Sequence, residues 1–191
     1  MIAMKHFLFV LMMTIALCAG AQNVEKLYKE GKQLYDNGHY TQAVAKLKPA
    51  AEKGHKKAQY RLGLCYDKGN GVAENDKTAV YWYQKAAAQG HAKAQYQLGK
   101  CYKNGEGVEK NITKAVDWFT KAAKQDNAKA MLALAKCFLH GKGVPADKSK
   151  AKALAKKAVK DDKDGKDILQ KLRKDASEGD ADAKVLLELI K

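Results

Sequence analysis

Apolar residues recur at helical spacing along most of the chain. Over residues 55–69 they fall at Ala58, Leu62, Cys65 and Tyr66, so that steps of four, seven and eight residues place them on one face of a helix. Gly69 follows this series, and glycine accepts the left-handed conformation that ends many helices. The pattern therefore predicts a helix that begins after His55 and ends at Gly69.

A second helical series follows a short glycine-containing turn. It places Ala79, Trp82, Tyr83 and Ala86 on one apolar face. Asn75 precedes this helix, where its side chain is predicted to accept hydrogen bonds from free backbone N–H groups. The equivalent caps further along are Asn111 and Asp147, and the equivalent apolar residues are Ala115, Trp118, Phe119, Ala122, Ala151, Leu154, Ala155 and Ala158.

The two-helix pattern repeats every 36 residues. Three consecutive blocks cover residues 55–90, 91–126 and 127–162, and the first two blocks share 20 of 36 positions. A single helical hairpin leaves its apolar face uncovered, whereas stacked hairpins bury a continuous core. The sequence therefore predicts an all-α solenoid of stacked antiparallel hairpins.

The repeated residues resemble the Sel-one-like repeat (SLR) family, which is related to tetratricopeptide repeats. The resemblance implies a right-handed superhelix that serves protein interaction. The third block departs from the family pattern by having Ala135 for a glycine, Phe138 for a tyrosine and Leu154 for a tryptophan. The first block carries the pattern at Ala58, Leu62, Gly63, Tyr66, Gly69, Gly71, Val72, Ala79, Trp82, Lys85, Ala86 and Ala87, and the second at Ala94, Leu98, Gly99, Tyr102, Gly105, Gly107, Val108, Ala115, Trp118, Lys121, Ala122 and Ala123.

The flanking segments resemble capping elements of such an array. Residues 22–54 resemble a tetratricopeptide-type hairpin whose connecting turn is four residues shorter than in the later blocks. Residues 163–191 are predicted to form capping helices, after a polar break from Asp161 to Gly165. A polar outer cap at each end is what a solenoid requires.

The first 21 residues have the pattern of a secretory signal peptide. A start bearing Lys5 precedes an uncharged apolar stretch, and small residues at 19–21 predict cleavage before Gln22. There are two alternatives: an apolar N-terminus on a cytosolic protein, and lipid attachment at Cys18. The apolar stretch is too short to span a membrane. The prediction is an exported, periplasmic or secreted protein, and a bacterial periplasm is suggested by family usage.

Composition adds a strong basic character. The formal net charge is +15 with 36 Lys and Arg against 21 Asp and Glu, and all but two of the basic residues are lysine. Nucleic-acid readers use more arginine at base edges, so we expect no nucleic-acid partner. The segment from Lys148 to Lys160 is densely basic, which leaves a polyanion-binding role open beside a solvated lysine surface.

The chain lacks convincing cofactor or metal chemistry. Cys65, Cys101 and Cys137 recur one per repeat and are expected to be buried free thiols, because equivalent residues of stacked hairpins lie too far apart for a disulfide. Exported family members with two cysteines per repeat bridge their paired helices, but that second cysteine is missing here. His55 and His91 are predicted helix caps, while His39 and His140 fall in predicted loops. No cofactor or metal is expected.

Two motif matches to enzymes are weak. The Gly-x-Gly pairs follow helices rather than strands and lack a phosphate-loop ending, so they are predicted to be turns. Ser149 and Lys152 match the Ser-x-x-Lys of penicillin-recognising enzymes, and some secreted Sel-one-like proteins have been linked to β-lactam binding or hydrolysis. The accompanying motifs are absent. We therefore predict a non-catalytic protein and keep a cell-wall or β-lactam hydrolase as the rival.

The predicted binding surface lies on the first helix of each repeat. The resemblance places these helices on the concave side of the solenoid, where tyrosine and lysine suit a protein or peptide partner, with an acidic one favoured by charge. The competing interpretation is that the tyrosines pack on neighbouring hairpins. The candidate residues are Lys57, Tyr60, Leu64, Lys93, Tyr96, Lys100, Lys129, Leu132 and Lys136.

Overall fold

The computed structural model describes residues 20–160 and 163–191, and regular structure in these ranges is α-helical. The predicted signal peptide therefore lies outside the described residues, except for its last two positions. The helices are α1 (20–36), α2 (Tyr40–Glu52), α3 (Lys56–Lys68), α4 (Asp76–Ala88), α5 (Ala92–Asn104), α6 (Ile112–Ala123), α7 (Ala128–His140), α8 (Lys148–Ala158), α9 (Lys163–Ser177) and α10 (Ala181–Ile190).

The chain divides into two compact units, one ending at Ala86 and the other beginning at Ala87. The core of the first unit contains Leu47, Leu62 and Trp82 among its buried residues. In the second unit, Phe119 lies in one apolar cluster, which α5 to α8 supply, and Leu186 lies in another toward the C-terminus. Each unit thus builds its core from the apolar faces that the sequence pattern predicted.

Side-chain caps begin the helices as predicted. The side-chain oxygen Oδ1 of Asn127 accepts from the N–H of Ala130 at 3.0 Å, and Nδ1 of His55 accepts from the N–H of Ala58 at 3.2 Å. Because Nδ1 of His55 is the acceptor, its proton is on Nε2. The caps of the second helices are confirmed as well, at Asn75, Asn111 and Asp147.

Size complementarity joins the two helices of each hairpin. A Cβ on Gly63 would lie 2.6 Å from the Tyr83 ring, and one on Gly99 would lie 2.5 Å from the Phe119 ring. In the third repeat the equivalent pair is Ala135 and Ala155, both fully buried in one cluster. Where the second helix carries an aromatic ring, the first helix has glycine opposite it. Where the second helix carries alanine, the first helix has room for alanine as well. This explains why the third repeat departs from the family glycine.

The glycine pairs form turns, as the sequence predicted. Gly69 and Gly105 end their helices in the left-handed conformation, with φ of 65° and 83°. Gly143 also has a positive φ, and a Cβ there would lie 2.9 Å from the carbonyl oxygen of Ile112 at the start of α6. Glycine is needed at this position both for its backbone angle and for the close approach.

The C-terminal segment forms two helices rather than a loose tail. The sequence predicted a polar break from Asp161 to Gly165, but α9 already begins at Lys163 and Gly165 is buried in its first turn, while Asp161 and Asp162 lie outside the described residues. A Cβ at Gly165 would clash with the carbonyl of Lys160. Ile168 and Leu172 of α9 join the buried cluster that also contains Leu186 of α10.

The predicted fold class is confirmed as an all-α solenoid built from helical hairpins. Within the residues that the structure describes, none of the helices is both long and apolar enough to cross a bilayer. The prediction that His140 lies in a loop is wrong, because His140 is the last residue of α7.

Candidate functional site

Equivalent lysines occupy the second position of the first helix in every repeat. Lys57 in α3, Lys93 in α5 and Lys129 in α7 each follow the N-cap by two residues and are exposed. A cap bond fixes the start of each of these helices, so the three lysines hold the same position relative to their own cap. Of the nine candidate residues, only these three are fully exposed.

The candidate tyrosines lean against the second helix of their own hairpin. The Tyr60 ring centroid lies 6.2 Å from that of Tyr83, and the Tyr96 centroid lies 5.9 Å from that of Phe119. Burial raises the pKa of the hydroxyl of both Tyr60 and Tyr96 above its ordinary value. Each tyrosine ring therefore packs against the core, and only part of its surface remains accessible to a partner.

The remaining candidates are half-buried, and one is already engaged. Leu64 and Lys100 are partly covered, and Leu132 packs against two apolar clusters. Nζ of Lys136 lies 3.4 Å from Asp180 and 3.7 Å from Asp182. The C-terminal segment therefore contacts the first helix of the third repeat at one of the predicted binding positions.

Charge is compensated on the first helices of the N-terminal unit. Arg61 lies 3.0 Å from Asp36, which also holds Lys32 at 2.7 Å, and these two cations keep the pKa of the Asp36 carboxyl below its ordinary value. Glu25 accepts a 3.0 Å hydrogen bond from Nε2 of His55, whose ring stacks on Tyr28. That hydrogen bond lowers the pKa of the Glu25 carboxyl. His55 thus bonds a carboxylate through Nε2 while its Nδ1 caps α3, and Asp36 separately pairs two cations.

Cys65, Cys101 and Cys137 are buried and form no disulfide with one another, as predicted. Burial raises the pKa of the Cys65 thiol to about 11, and it raises the pKa of Cys137 as well. A thiol must lose its proton to act as a nucleophile. These cysteines are therefore core residues and not reactive groups.

The weak enzyme match falls on an exposed helix start. Ser149 lies in the first turn of α8, where its side chain is exposed, and Lys152 is exposed too. The backbone N–H of Lys150 donates to the Asp147 carboxylate that caps the helix, at 2.9 Å. This bond, with the Lys150 ammonium and the N–H of Ser149, keeps the pKa of Asp147 below its ordinary value. Ser149 is therefore accounted for as a residue of the first helical turn.

Two buried glutamines were missed by sequence reasoning. The side-chain amide of Gln59 donates to the carbonyl of Ala51 at 3.0 Å, and that of Gln95 donates to the carbonyl of Ala87 at 3.2 Å. Each bond satisfies a carbonyl near the end of the preceding helix. The signal was available, since a glutamine recurs directly after Ala58 and Ala94 on an otherwise apolar face.

In residues 20–160 and 163–191, His, Cys, Asp and Glu side chains nowhere come together in a group of three that could hold an ion. His140 contacts a carboxylate oxygen of Asp182 at 2.7 Å, which joins α7 to the C-terminal segment.

Capped hairpins that repeat every 36 residues define this molecule as a helical-repeat protein. The Sel1 repeat profile matches residues 56–91, 92–127 and 128–162, and the chain belongs to this family. Sel1 repeat proteins generally mediate protein–protein interaction and act as non-catalytic scaffolds.

Three known proteins illustrate the similarity. A Sel1 repeat protein from Oxalobacter formigenes superimposes with a TM-score of 0.67 at 32% identity, over 84% of this chain and 74% of its own. A protective antigen of uropathogenic Escherichia coli with an SLR fold gives a TM-score of 0.71 at 25% identity, over 93% of this chain and 47% of its own. A negative regulator of exopolysaccharide production from Rhizobium meliloti is 41% identical over 59 residues, 31% of this chain, which spans only 22% of that protein.

Proposed function

We propose that this protein is an exported, non-catalytic interaction module that binds a protein or peptide partner through the first helices of its repeats. The observation that supports this function is the exposed lysine at one equivalent position in each repeat, Lys57, Lys93 and Lys129. Beside each lysine lies a half-buried Tyr60, Tyr96 or Leu132. A hydrophobic contact flanked by cations suits a protein surface of opposite charge.

Binding of this kind needs no catalytic group. The tyrosine rings are held by Tyr83 and Phe119, so little side-chain freedom is lost when a partner covers them. The lysines increase the rate of encounter with an acidic surface and discriminate against basic ones. Each hairpin thus presents a fixed set of exposed side chains, and these side chains determine which partner is bound.

Crosslinking in the native compartment tests the binding surface. A photo-reactive residue placed near Lys93 is expected to capture one dominant protein. The double variant Lys93→Glu and Lys100→Glu should weaken capture while circular dichroism shows unchanged helicity. Lys48→Glu with Lys77→Glu, two exposed lysines on α2 and α4, is the control with the same change in charge. Capture that is equally strong in both double variants would refute the surface.

Export is proposed from the first 21 residues. N-terminal sequencing of the protein from a periplasmic fraction should begin at Gln22. Recovery with the membrane fraction, together with a lipid-modified N-terminus at Cys18, would identify a lipoprotein instead. Recovery of the uncleaved chain from the cytosol would contradict export.

Polyanion binding is a second candidate function. Helix α8 contains no acidic residue, and Lys148, Lys152 and Lys156 on it are exposed. A sulfated polysaccharide should then bind with an affinity that falls when these three lysines are replaced by glutamine. Retention of binding at high salt would favour a specific site, because nonspecific electrostatic attraction is screened.

The hydrolase rival has a direct test. A chromogenic β-lactam incubated with the purified chain should show no turnover above that of the Ser149→Ala variant. Hydrolysis that the substitution abolishes would replace the interaction proposal by an enzyme.

A further inference from the structure

One face of α5 carries a stripe of basic and aromatic side chains. Lys93, Tyr96, Lys100 and Lys103 are separated by three, four and three residues, which places them on one side of the helix. We call these four residues the α5 stripe. At 1.5 Å per residue, the stripe is about 15 Å long.

The positive charge of the α5 stripe is not compensated within the part of the chain that the structure describes. Neither α5 nor α7 contains an aspartate or glutamate. Among described residues, no carboxylate lies within ion-pair distance of Lys93, Lys100 or Lys103. The ion pairs of Lys32 and Arg61 on the first helices of the N-terminal unit show the contrast.

Tyr96 adds a polar group to the centre of the stripe. Its ring is backed by Phe119, and its hydroxyl has no hydrogen-bond partner among the described residues. The positive charges of Lys100 and of Lys171 on α9 act on this hydroxyl and partly offset the rise in its pKa that burial causes. Lys171 itself pairs with Asp175 at 3.1 Å. The hydroxyl thus lies in a positive field and is free to bond a ligand.

We propose that the α5 stripe binds an extended acidic segment of the protein partner, about five residues long, with carboxylates on alternate positions. This inference rests on the proposed function. An extended chain rises about 3.3 Å per residue, so five residues match the length of the stripe. Alternate side chains lie on one side of such a chain about 6.6 Å apart, which brings three carboxylates toward the lysines. The Tyr96 hydroxyl donates to a backbone carbonyl or a carboxylate of the segment.

A peptide fits the stripe better than a polyanion does. Long polyanions gain affinity because many protein cations displace their condensed counterions into solution, whereas the stripe offers only three lysines around one anchored ring. The lysines supply point charges that attract carboxylates, and Tyr96 supplies a rigid apolar contact at low cost in conformational entropy.

The test uses fluorescence anisotropy with the purified full chain. The probe is a labelled peptide, acetyl-Glu-Val-Glu-Val-Glu-amide, and its neutral counterpart has glutamine in place of glutamate. The acidic probe is expected to bind at least about tenfold more tightly than the neutral one. Lys93→Glu with Lys100→Glu should weaken binding by about tenfold or more, whereas the control Lys48→Glu with Lys77→Glu should retain it.

A finer comparison examines the aromatic residue. Tyr96→Phe removes only the hydroxyl and should weaken binding of the acidic probe by a few-fold, on the order of one hydrogen bond. Tyr81→Phe, at an exposed tyrosine on α4 outside the proposed binding surface, is the control and should leave the affinity unchanged. Equal effects of the two substitutions would contradict the inference that the peptide binds at the α5 stripe.

Three outcomes would overturn the inference. These are no binding of the acidic probe, equal losses in the stripe and control double variants, or tighter binding of heparin than of the probe at the stripe. Failure here is distinguishable from failure of the proposed function. A partner captured at Lys93 that lacks an acidic segment would refute only the inference, whereas absence of any captured partner would refute both.

Discussion

In the second repeat, Lys100 of α5 has no ion-pair partner among the described residues, whereas its counterpart Lys136 in α7 lies 3.4 Å from Asp180 and 3.7 Å from Asp182. The same repeat position is thus uncompensated in one hairpin and bound to the C-terminal segment in the next. Equivalence in sequence therefore does not make the two positions equivalent as binding sites.

The two repeats also differ inside their hairpins. Phe119 packs against Gly99 in the second repeat, while Ala155 and Ala135 hold the equivalent positions in the third. The third hairpin thus has less aromatic volume of its own, and its apolar cluster includes Ile168 and Leu172 from α9. The apolar residues of the second repeat therefore share a cluster with the third repeat, whereas Ala135 and Ala155 share theirs with the C-terminal helices.

The largest effect is expected at the glycine–phenylalanine pair. Phe119→Ala should lower the free energy of unfolding by about 3–5 kcal/mol, because it leaves a cavity. Gly99→Ala alone should lower it by roughly 1–3 kcal/mol through overpacking. In the Phe119→Ala background the same Gly99→Ala change should be neutral or stabilising, because the ring is gone and alanine favours the helix. Urea unfolding measures the cycle, and strictly additive effects would refute direct packing.

A smaller loss is expected when the C-terminal cap is weakened. Asp180→Ala removes the bond to the N–H of Ala183 and the ion pair with Lys136, and should lower the free energy of unfolding by about 1–2 kcal/mol. Asp180→Asn keeps a capping oxygen and should cost less. Asn127→Ala removes a cap without an ion pair and serves as the control. Thermal unfolding is the measurement, and an Asp180→Ala variant as stable as the parent would argue against the cap.

Charge reversal at the paired lysine tests the comparison directly. Lys136→Glu should lower the free energy of unfolding by roughly 0.5–1 kcal/mol, because it replaces an attraction to Asp180 and Asp182 by a repulsion. Lys100→Glu should change it by less than about 0.5 kcal/mol. Chemical unfolding of the two single variants decides. If Lys100→Glu lowered the free energy of unfolding more than Lys136→Glu did, the assignment of Lys136 as the paired lysine and Lys100 as the uncompensated one would be wrong.

The smallest expected effect is a pH dependence. The bond from the N–H of Ala183, with the charge of Lys136, holds the pKa of Asp180 below its ordinary value. A carboxyl whose pKa is lower in the folded state stabilises the protein above its unfolded pKa, about 3.9, and loses that contribution as the pH falls through the folded pKa. Stability should therefore decline on acidification below about pH 4. Asp180→Asn should decline less steeply, and parallel curves would refute this contribution.

Much of the fold was predictable because it depends on local chemistry. The caps at His55, His91 and Asn127 and the turns at Gly69 and Gly105 follow from residues within a few positions of each helix end. The repeat period supplied the rest of the architecture. The C-terminal break was less predictable, because Gly165 is buried in a helix that its composition did not favour.

The candidate surface was predictable only in outline. The pattern identified which residues lie away from the core, yet it could not distinguish Lys129, which is exposed, from Lys136, which is paired. It also missed Gln59 and Gln95, whose amides are buried against carbonyls eight residues earlier in the chain.

The sequence by itself determined that this chain forms capped helices in repeated hairpins, since helix periodicity, capping and glycine turns act over a few residues. The tertiary structure decided which lysines keep an uncompensated charge. The partners of Lys136 lie more than forty residues further along the chain, and only packing of the C-terminal helices brings those carboxylates to it. Ion pairing depends on distance in space, and a one-dimensional pattern does not contain that distance.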